Sequence, residues 1–409
     1  MTRVGDECPC CRGRSLRSFW KDGKFMSVAF TKWPERYVWS FQVTRLLGLA
    51  DFGGSDVTEV YETVQRISLD DPRSWDRAWL ETAELVEDRG RRAEAQGNWI
   101  SARNFYQRAT NYYRAAQFFL VPKDPERIRI LRKIDDVFDS AARYFPVVPE
   151  KVFIPYEGQE LPGYLWRVPN PVATVIQLNG GDEISSENWF TAGSTFVEAG
   201  YNYFVFEGPG VGLTLLEKRI PRRPDTENYL GPAIDFLESK SDWTRTPFIL
   251  VGTSFGSFDV LRAASFERRT AAAIASSPAY KLDWASLVKW MSPEFREYAH
   301  ETVGAKDIDE LVNDPKFGFS LEGALPNMSC PLLLIQGDEE LLVQPQPLSQ
   351  FLRIYEEAGT DDKKMVFVEK SGRLGGIEHC QKDNVHIQHD IWFNWLGARG
   401  LGPAPRQIA

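Results

Sequence analysis

Through the first third of the chain the apolar positions recur at helical spacing. Ala102, Phe105, Tyr106, Ala109, Tyr113, Ala116 and Leu120 follow one another at steps of one, three or four and share one broad face. Ile128, Leu131, Ile134, Phe138, Ala142 and Phe145 form a second such stripe. Asp124 before Pro125 reads as an N-cap followed by proline at the first helical position, so that helix starts there. Residues 72–96 read as a further helix that Gly97 ends. The pattern predicts a mostly helical N-terminal cap domain, residues 1–146, rich in Tyr, Phe and Trp. Its 102–120 stripe has a helical-repeat flavour, but a single copy does not make a solenoid.

Beyond Pro146 and Pro149 the period changes. Residues 151–155 and 164–168 flank Glu157-Gly158-Gln159 as the arms of a hairpin. Short apolar runs then alternate with helix-length stretches, at 173–178, 203–206, 248–251, 272–275, 332–335 and 365–368. Strands apolar on both faces and separated by helices predict a mostly parallel sheet covered on both sides, an α/β fold, over residues 147–396. The segment at about 281–329 is too long for a plain connection and reads as inserted helices over the top edge of the sheet. Residues 397–409, rich in Gly and Pro, read as a flexible tail.

Composition narrows the class. The 409 residues carry 48 Lys plus Arg against 57 Asp plus Glu, a formal charge of −9, with 43% hydrophobic and 26% charged residues. This is a globular balance, and its acidity argues against a nucleic-acid partner. No run of about 18 uncharged apolar residues exists, so no membrane association is expected. Residues 1–17 lack the apolar core of a secretory signal, and five cysteines in so long a chain do not form a disulfide framework. A reducing, cytoplasmic location is the expectation. Cys8-Pro-Cys-Cys11 has no second Cys/His pair at finger spacing, and His386-Ile-Gln-His389 lacks the Glu and spacing of a zincin, so no metal is expected. Gly208-Pro-Gly-Val-Gly212 lacks the third glycine of a dinucleotide fingerprint and reads as a loop shaping a pocket, so no organic cofactor is expected either.

The segment that carries chemistry is Phe248-Ile-Leu-Val-Gly-Thr-Ser-Phe-Gly-Ser257. An apolar strand runs into Gly252-x-Ser254-x-Gly256, and a helix follows, which is the context of a nucleophile elbow. A serine hydroxyl needs a base, and the base needs an orienting acid; behind an elbow they follow in the order acid, then His. Pro331-Leu-Leu-Leu-Ile-Gln-Gly-Asp338 offers a strand, a glycine and a carboxylate. Asp338 is preferred because it directly follows the glycine, with Glu339 and Glu340 as adjacent competitors. Of the four histidines, His379 lies on the Gly375-Gly-Ile-Glu-His379 loop after the last strand and is the expected base. His386 and His389 fall at the start of the closing helix, and His300 precedes the acid. For an oxyanion hole, one donor is the N–H of Phe255. The second comes from Leu178-Asn-Gly-Gly-Asp182, with Gly181 and Asp182 both open. Tyr113, Trp189 and Asp283 are candidate substrate contacts, although Asp283 also suits a helix N-cap.

Together these residues resemble the α/β-hydrolase superfamily. Phe206-Glu-Gly-Pro-Gly-Val-Gly212, the 178–187 loop and the 97–120 helix are similar to a subgroup with an N-terminal helical domain. That subgroup contains 2,6-dihydroxypseudooxynicotine hydrolase and the fungal polyketide-shortening hydrolases of the yellowish-green pigment type. The resemblance spans nearly the whole chain. It implies cleavage of a C–C bond next to a carbonyl, without cofactor, in an aromatic or polyketide-like small molecule of secondary metabolism, by a homodimer. Carboxylester or lactone hydrolysis, acyl transfer or cyclisation use the same machinery and stay open. A ligand-binding protein on the same fold is the non-catalytic alternative.

Overall fold

The helical stripes and the apolar runs become two layers of one core. The computed structural model describes residues 30, 32–33, 36–241, 243, 245–291, 293–342 and 347–403. The Cys8–Cys11 cluster and residues 404–409 of the tail lie outside these. The N-terminal helices are α1 (Tyr37–Gly48), α2 (Val57–Gln65), α3 (Ser74–Ala95), α4 (Trp99–Gln117) and α5 (Pro125–Ala142). Asp124 caps α5 by accepting the Glu126 N–H at 2.9 Å, with Pro125 in the first turn, as the sequence predicts. Ala102, Tyr106, Ala109 and Tyr113 of α4 are buried in the same cluster as Trp79, Ala83 and Val86 of α3. Phe138 of α5 reaches the sheet, edge-on to Tyr164 and Trp166.

The strands are β1 (Glu150–Tyr156), β2 (Gln159–Trp166), β3 (Thr174–Leu178), β4 (Asn202–Phe206), β5 (Phe248–Thr253), β6 (Thr270–Ser276), β7 (Leu332–Gly337) and β8 (Lys363–Val368). They form one sheet in the order β1-β2-β4-β3-β5-β6-β7-β8. β1 and β2 make the expected antiparallel hairpin, β2 pairs β4 antiparallel, and the remaining pairs are parallel. Alternate residues of one strand serve opposite faces. Val175 and Val251 belong to the cluster shared with the N-terminal helices and with Trp392 of the closing helix Val385–Gly397. Ile176 and Leu250 belong to the cluster under Leu230, Phe258 and Phe351 on the other side. Burial on both faces is why these strands read as continuous apolar runs.

Helices Trp284–Trp290, Pro293–Thr302 and Ile308–Asn313 occupy the inserted segment between β6 and β7. Tyr298 of the second donates its hydroxyl to the Gly181 carbonyl at 2.8 Å, so the insertion sits over the carboxyl ends of the strands. Among the described residues no helix is long and apolar enough to cross a membrane.

Candidate active site

Central strand β5 ends at Thr253, and Ser254 follows as the single residue before the helix Phe255–Phe266. Ser254 has φ 55° and ψ −122°, a strained backbone for a residue with a side chain. The strain is held by neighbours: its N–H donates to the Ser276 carbonyl at 3.0 Å, and its carbonyl accepts from Ser257 N–H at 3.0 Å. A Cβ on Gly252 would stand 2.2 Å from the Gly256 carbonyl oxygen, and one on Gly256 would stand 2.3 Å from that of Leu178. Both positions therefore require glycine, and the Gly-x-Ser-x-Gly spacing follows from the tightness of the turn.

His379 is buried, and its Nδ1 lies 2.7 Å from Oε2 of Glu340. Glu340 is itself buried, receives the Leu342 N–H on Oε1 at 2.8 Å and a hydrogen bond from the Ser277 hydroxyl. Ser277 in turn accepts the Cys380 N–H at 2.9 Å, which ties Glu340 to the loop that carries His379. Burial works against charge on both partners. For His379 the neighbouring Cys380 and Glu340 outweigh it, and the imidazolium is held well above its ordinary range. For Glu340 the His379 charge outweighs it, and the carboxyl is held below its usual range.

The carboxylate that meets the His379 imidazole is therefore Glu340, where the sequence-based expectation placed Asp338. Gly337 does not turn the chain. It is the last residue of β7, and the next N–H, that of Asp338, still bonds to the Val368 carbonyl of β8 at 3.1 Å. Gly337 is glycine because a Cβ there would stand 2.2 Å from the Ile377 carbonyl, where the histidine loop crosses. The chain leaves the sheet late, and the carboxylate on the imidazole is two positions further on. Asp338 accepts a long bond from the Lys370 N–H, at 3.3 Å.

The loop after β3 is fixed by a buried charge network that sequence reading missed. Glu183 accepts the Gly180 N–H at 2.8 Å and the Thr253 hydroxyl at 3.0 Å, and pairs with Lys382 at 3.1 Å. One carboxylate thus joins the loop after β3, the residue before Ser254 and the residue three after His379. Asp182 pairs with Arg45 of α1 at 2.6 Å and Arg114 of α4 at 2.5 Å. Glu187 takes both arginines too, at 2.5 and 3.0 Å. Burial opposes ionisation of Asp182, but the two guanidinium groups prevail and hold it far below the usual carboxylate range. The signal available in the sequence was Arg45 and Arg114 in helices whose buried positions are otherwise uncharged. Glu183→Gln is expected to destabilise the protein by about 3–5 kcal/mol, because Lys382 is left buried without its counter-charge. A urea or thermal melt checks this, and a midpoint equal to wild type would contradict the network's role.

Ser254, Phe255, Gly180, Gly181, Asp182 and His379 all line one cavity of about 620 Å³. Its walls are aromatic: Tyr37, Trp39 and Phe41 come from α1, Phe118 and Phe119 from the end of α4, and Trp284 and Phe295 from the insertion. The Phe41 ring stands edge-on to the His379 imidazole, with centroids 6.2 Å apart. The three substrate contacts expected from sequence are elsewhere. Tyr113 is packed between helices and donates its hydroxyl to Glu87 at 2.6 Å. Trp189 is stacked between Phe145 and Trp166 in the core. Asp283 is exposed and caps its helix, accepting the Ser286 N–H at 3.2 Å. None of the three lines the cavity. His386 is exposed near Asp51, His300 bonds the Ala305 carbonyl, and His389 bonds the Thr191 carbonyl, its burial pushing the ring down to about 4. Among the described residues no group of three or more His, Cys, Asp or Glu gathers that could hold a metal ion.

No family model matches the chain. Hydrolyase poxO of Penicillium oxalicum is 32% identical over 393 residues, which cover 83% of this chain and 92% of poxO. Alpha/beta hydrolase pydG of an Acremonium species is 35% identical over 259 residues, 60% of this chain, and the match spans only 61% of pydG. Among solved structures, the 2,6-dihydroxy-pseudo-oxynicotine hydrolase superposes with a TM-score of 0.72 at 20% identity, over 89% of this chain and 99% of that one. AbyA5 superposes with a TM-score of 0.63 at 17% identity, over 86% and 93%. At such identities the two structures speak for the fold. With poxO matched along nearly its whole length, and with this sheet, elbow and helical N-terminal region, the chain belongs to the α/β-hydrolase family and is a hydrolase.

Proposed function

We propose that the protein cleaves a C–C bond next to a carbonyl in an aromatic, polyketide-like ketone, through an acyl-enzyme on Ser254. The observation that carries this reading is that His379, paired with the buried Glu340 at 2.7 Å, lines the same cavity as the strained Ser254. In the proposed reaction His379 takes the Ser254 proton as Oγ adds to the substrate carbonyl. The tetrahedral oxyanion rests on the Phe255 N–H and an amide of the 180–182 loop. Collapse breaks the C–C bond, the electron pair leaves on carbon as an enolate or electron-rich arene, and His379 protonates it. Water, deprotonated by the same imidazole, then releases the acid and restores Ser254.

A carbanion leaves only when delocalised, so a β-dicarbonyl or acylated polyhydroxyarene fits the chemistry. The aromatic walls suit a flat substrate. The name of the structural neighbour, a hydrolase of 2,6-dihydroxy-pseudo-oxynicotine, supports an aromatic substrate. The reading includes a cytoplasmic homodimer. The test offers purified protein an acyl-naphthopyrone or β-diketone beside p-nitrophenyl esters. Release of a carboxylic acid together with the protonated carbon fragment is expected. Rapid ester turnover with no C–C cleavage would assign the site to an esterase.

A further inference from the structure

Two amides of the glycine loop are candidates for the second oxyanion donor, and the hydrogen bonds to their carbonyl partners separate them. Arg222 is almost wholly buried, its side chain 1% exposed. Its guanidinium donates to the Asn179 carbonyl at 3.2 Å and to the Gly180 carbonyl at 3.1 Å. A trans peptide points its N–H opposite to its C=O. With the Gly180 carbonyl turned to Arg222, which does not line the cavity, the Gly181 N–H is turned away from Arg222. The following peptide is held the other way. Its carbonyl, on Gly181, accepts from Tyr298, which does line the cavity, so the Asp182 N–H faces away from that side.

Arg222 also packs on the side chain of Phe255, whose N–H is the other proposed donor. Its guanidinium lies 4.3 Å from the centre of the Phe255 ring, and it is paired at 2.5 Å with Asp259, four residues further along the same helix. The Phe206–Gly212 loop serves this residue. Gly210, at φ 81°, passes so near that a Cβ would stand 2.3 Å from the Cβ of Arg222. The Arg222 N–H is anchored on the Thr302 carbonyl at 2.7 Å, at the end of the helix that carries Tyr298. From this geometry we infer that Gly181 N–H, with Phe255 N–H, forms the oxyanion hole, and that Arg222 is the positioning residue that aims both donors. The inference rests on the Ser254 mechanism proposed above and deepens it.

The experiment compares wild type, Arg222→Lys and Tyr298→Phe with a substrate and with an aryl trifluoromethyl ketone, which adds to Ser254 as an oxyanionic hemiketal. Lysine keeps the charge beside Asp259 but cannot span two carbonyls and a ring. Arg222→Lys is expected to lower kcat about 100-fold, to leave KM within about 3-fold, and to weaken trifluoromethyl ketone binding in parallel with kcat. Substrate affinity measured in the Ser254→Ala background should not change on adding Arg222→Lys. A folded Arg222→Lys protein with wild-type kcat and wild-type inhibitor affinity would overturn the inference. Should that variant fail to fold, Tyr298→Phe decides: a kcat loss with parallel loss of inhibitor affinity supports the assignment, and unchanged values of both refute it. If Ser254→Ala itself retains turnover, the mechanism fails rather than the role of Arg222.

Discussion

Ser254→Ala is expected to lower turnover by about 10⁶-fold while leaving the thermal melt close to that of wild type. The magnitude is that of removing the nucleophile from a serine relay, whose members act as a unit. The small structural cost has a local reason. The elbow is held by backbone bonds from Ser254 to Ser276 and Ser257 and by the close approach of Gly252 and Gly256, none of which uses the serine side chain. Residual turnover within about 10-fold of wild type would mean that the hydroxyl at the strand end does no chemistry.

The second large effect separates two adjacent carboxylates. Glu340→Gln is expected to cost about 10⁴ in kcat, because the amide presents the wrong partner to Nδ1 and cannot balance the imidazolium. Asp338→Asn is expected to stay within a few-fold of wild type. The pH profile gives an independent reading. Only the neutral imidazole accepts the serine proton, and Cys380 and Glu340 together hold the protonated form above its ordinary range. The acid limb of kcat/KM should therefore lie alkaline of an ordinary histidine in wild type. In Glu340→Gln the counter-charge is gone while burial remains, so that limb should move to lower pH as the plateau falls. An unmoved limb in Glu340→Gln, or a collapse of activity in Asp338→Asn, would return the acid to Asp338.

Why one carboxylate was legible only as a competitor is a matter of where the sheet ends. The elbow could be read directly, because a run of five apolar or small residues before Ser254 and glycine on both sides of it are each imposed by the local turn. The candidate base narrows to His379 because few histidines exist and the loop after β8 has only one. The acid depends on how far β7 pairs with β8, and the Asp338 N–H continues that ladder one residue past Gly337. Pairing length is a tertiary property, and three acidic residues in a row give no local sign of it. The aromatic cap posed the same problem. Tyr113 lies on the apolar stripe of α4, but that stripe faces α3 and α5, whereas the cavity is walled by α1, by Phe118 and Phe119 at the end of α4 and by inserted helices. The network of Arg45, Arg114, Asp182, Glu183 and Glu187 joins segments up to 142 positions apart, and spacing along the chain carries no trace of such partners.

The most direct test of the relay is to trap its nucleophile. The full-length protein is treated with a fluorophosphonate, digested, and the modified peptide located by mass spectrometry. A single adduct on Ser254, formed much more slowly in Glu340→Gln than in Asp338→Asn, is the result this account requires. Labelling of another side chain, or equal rates in the two variants, would contradict it.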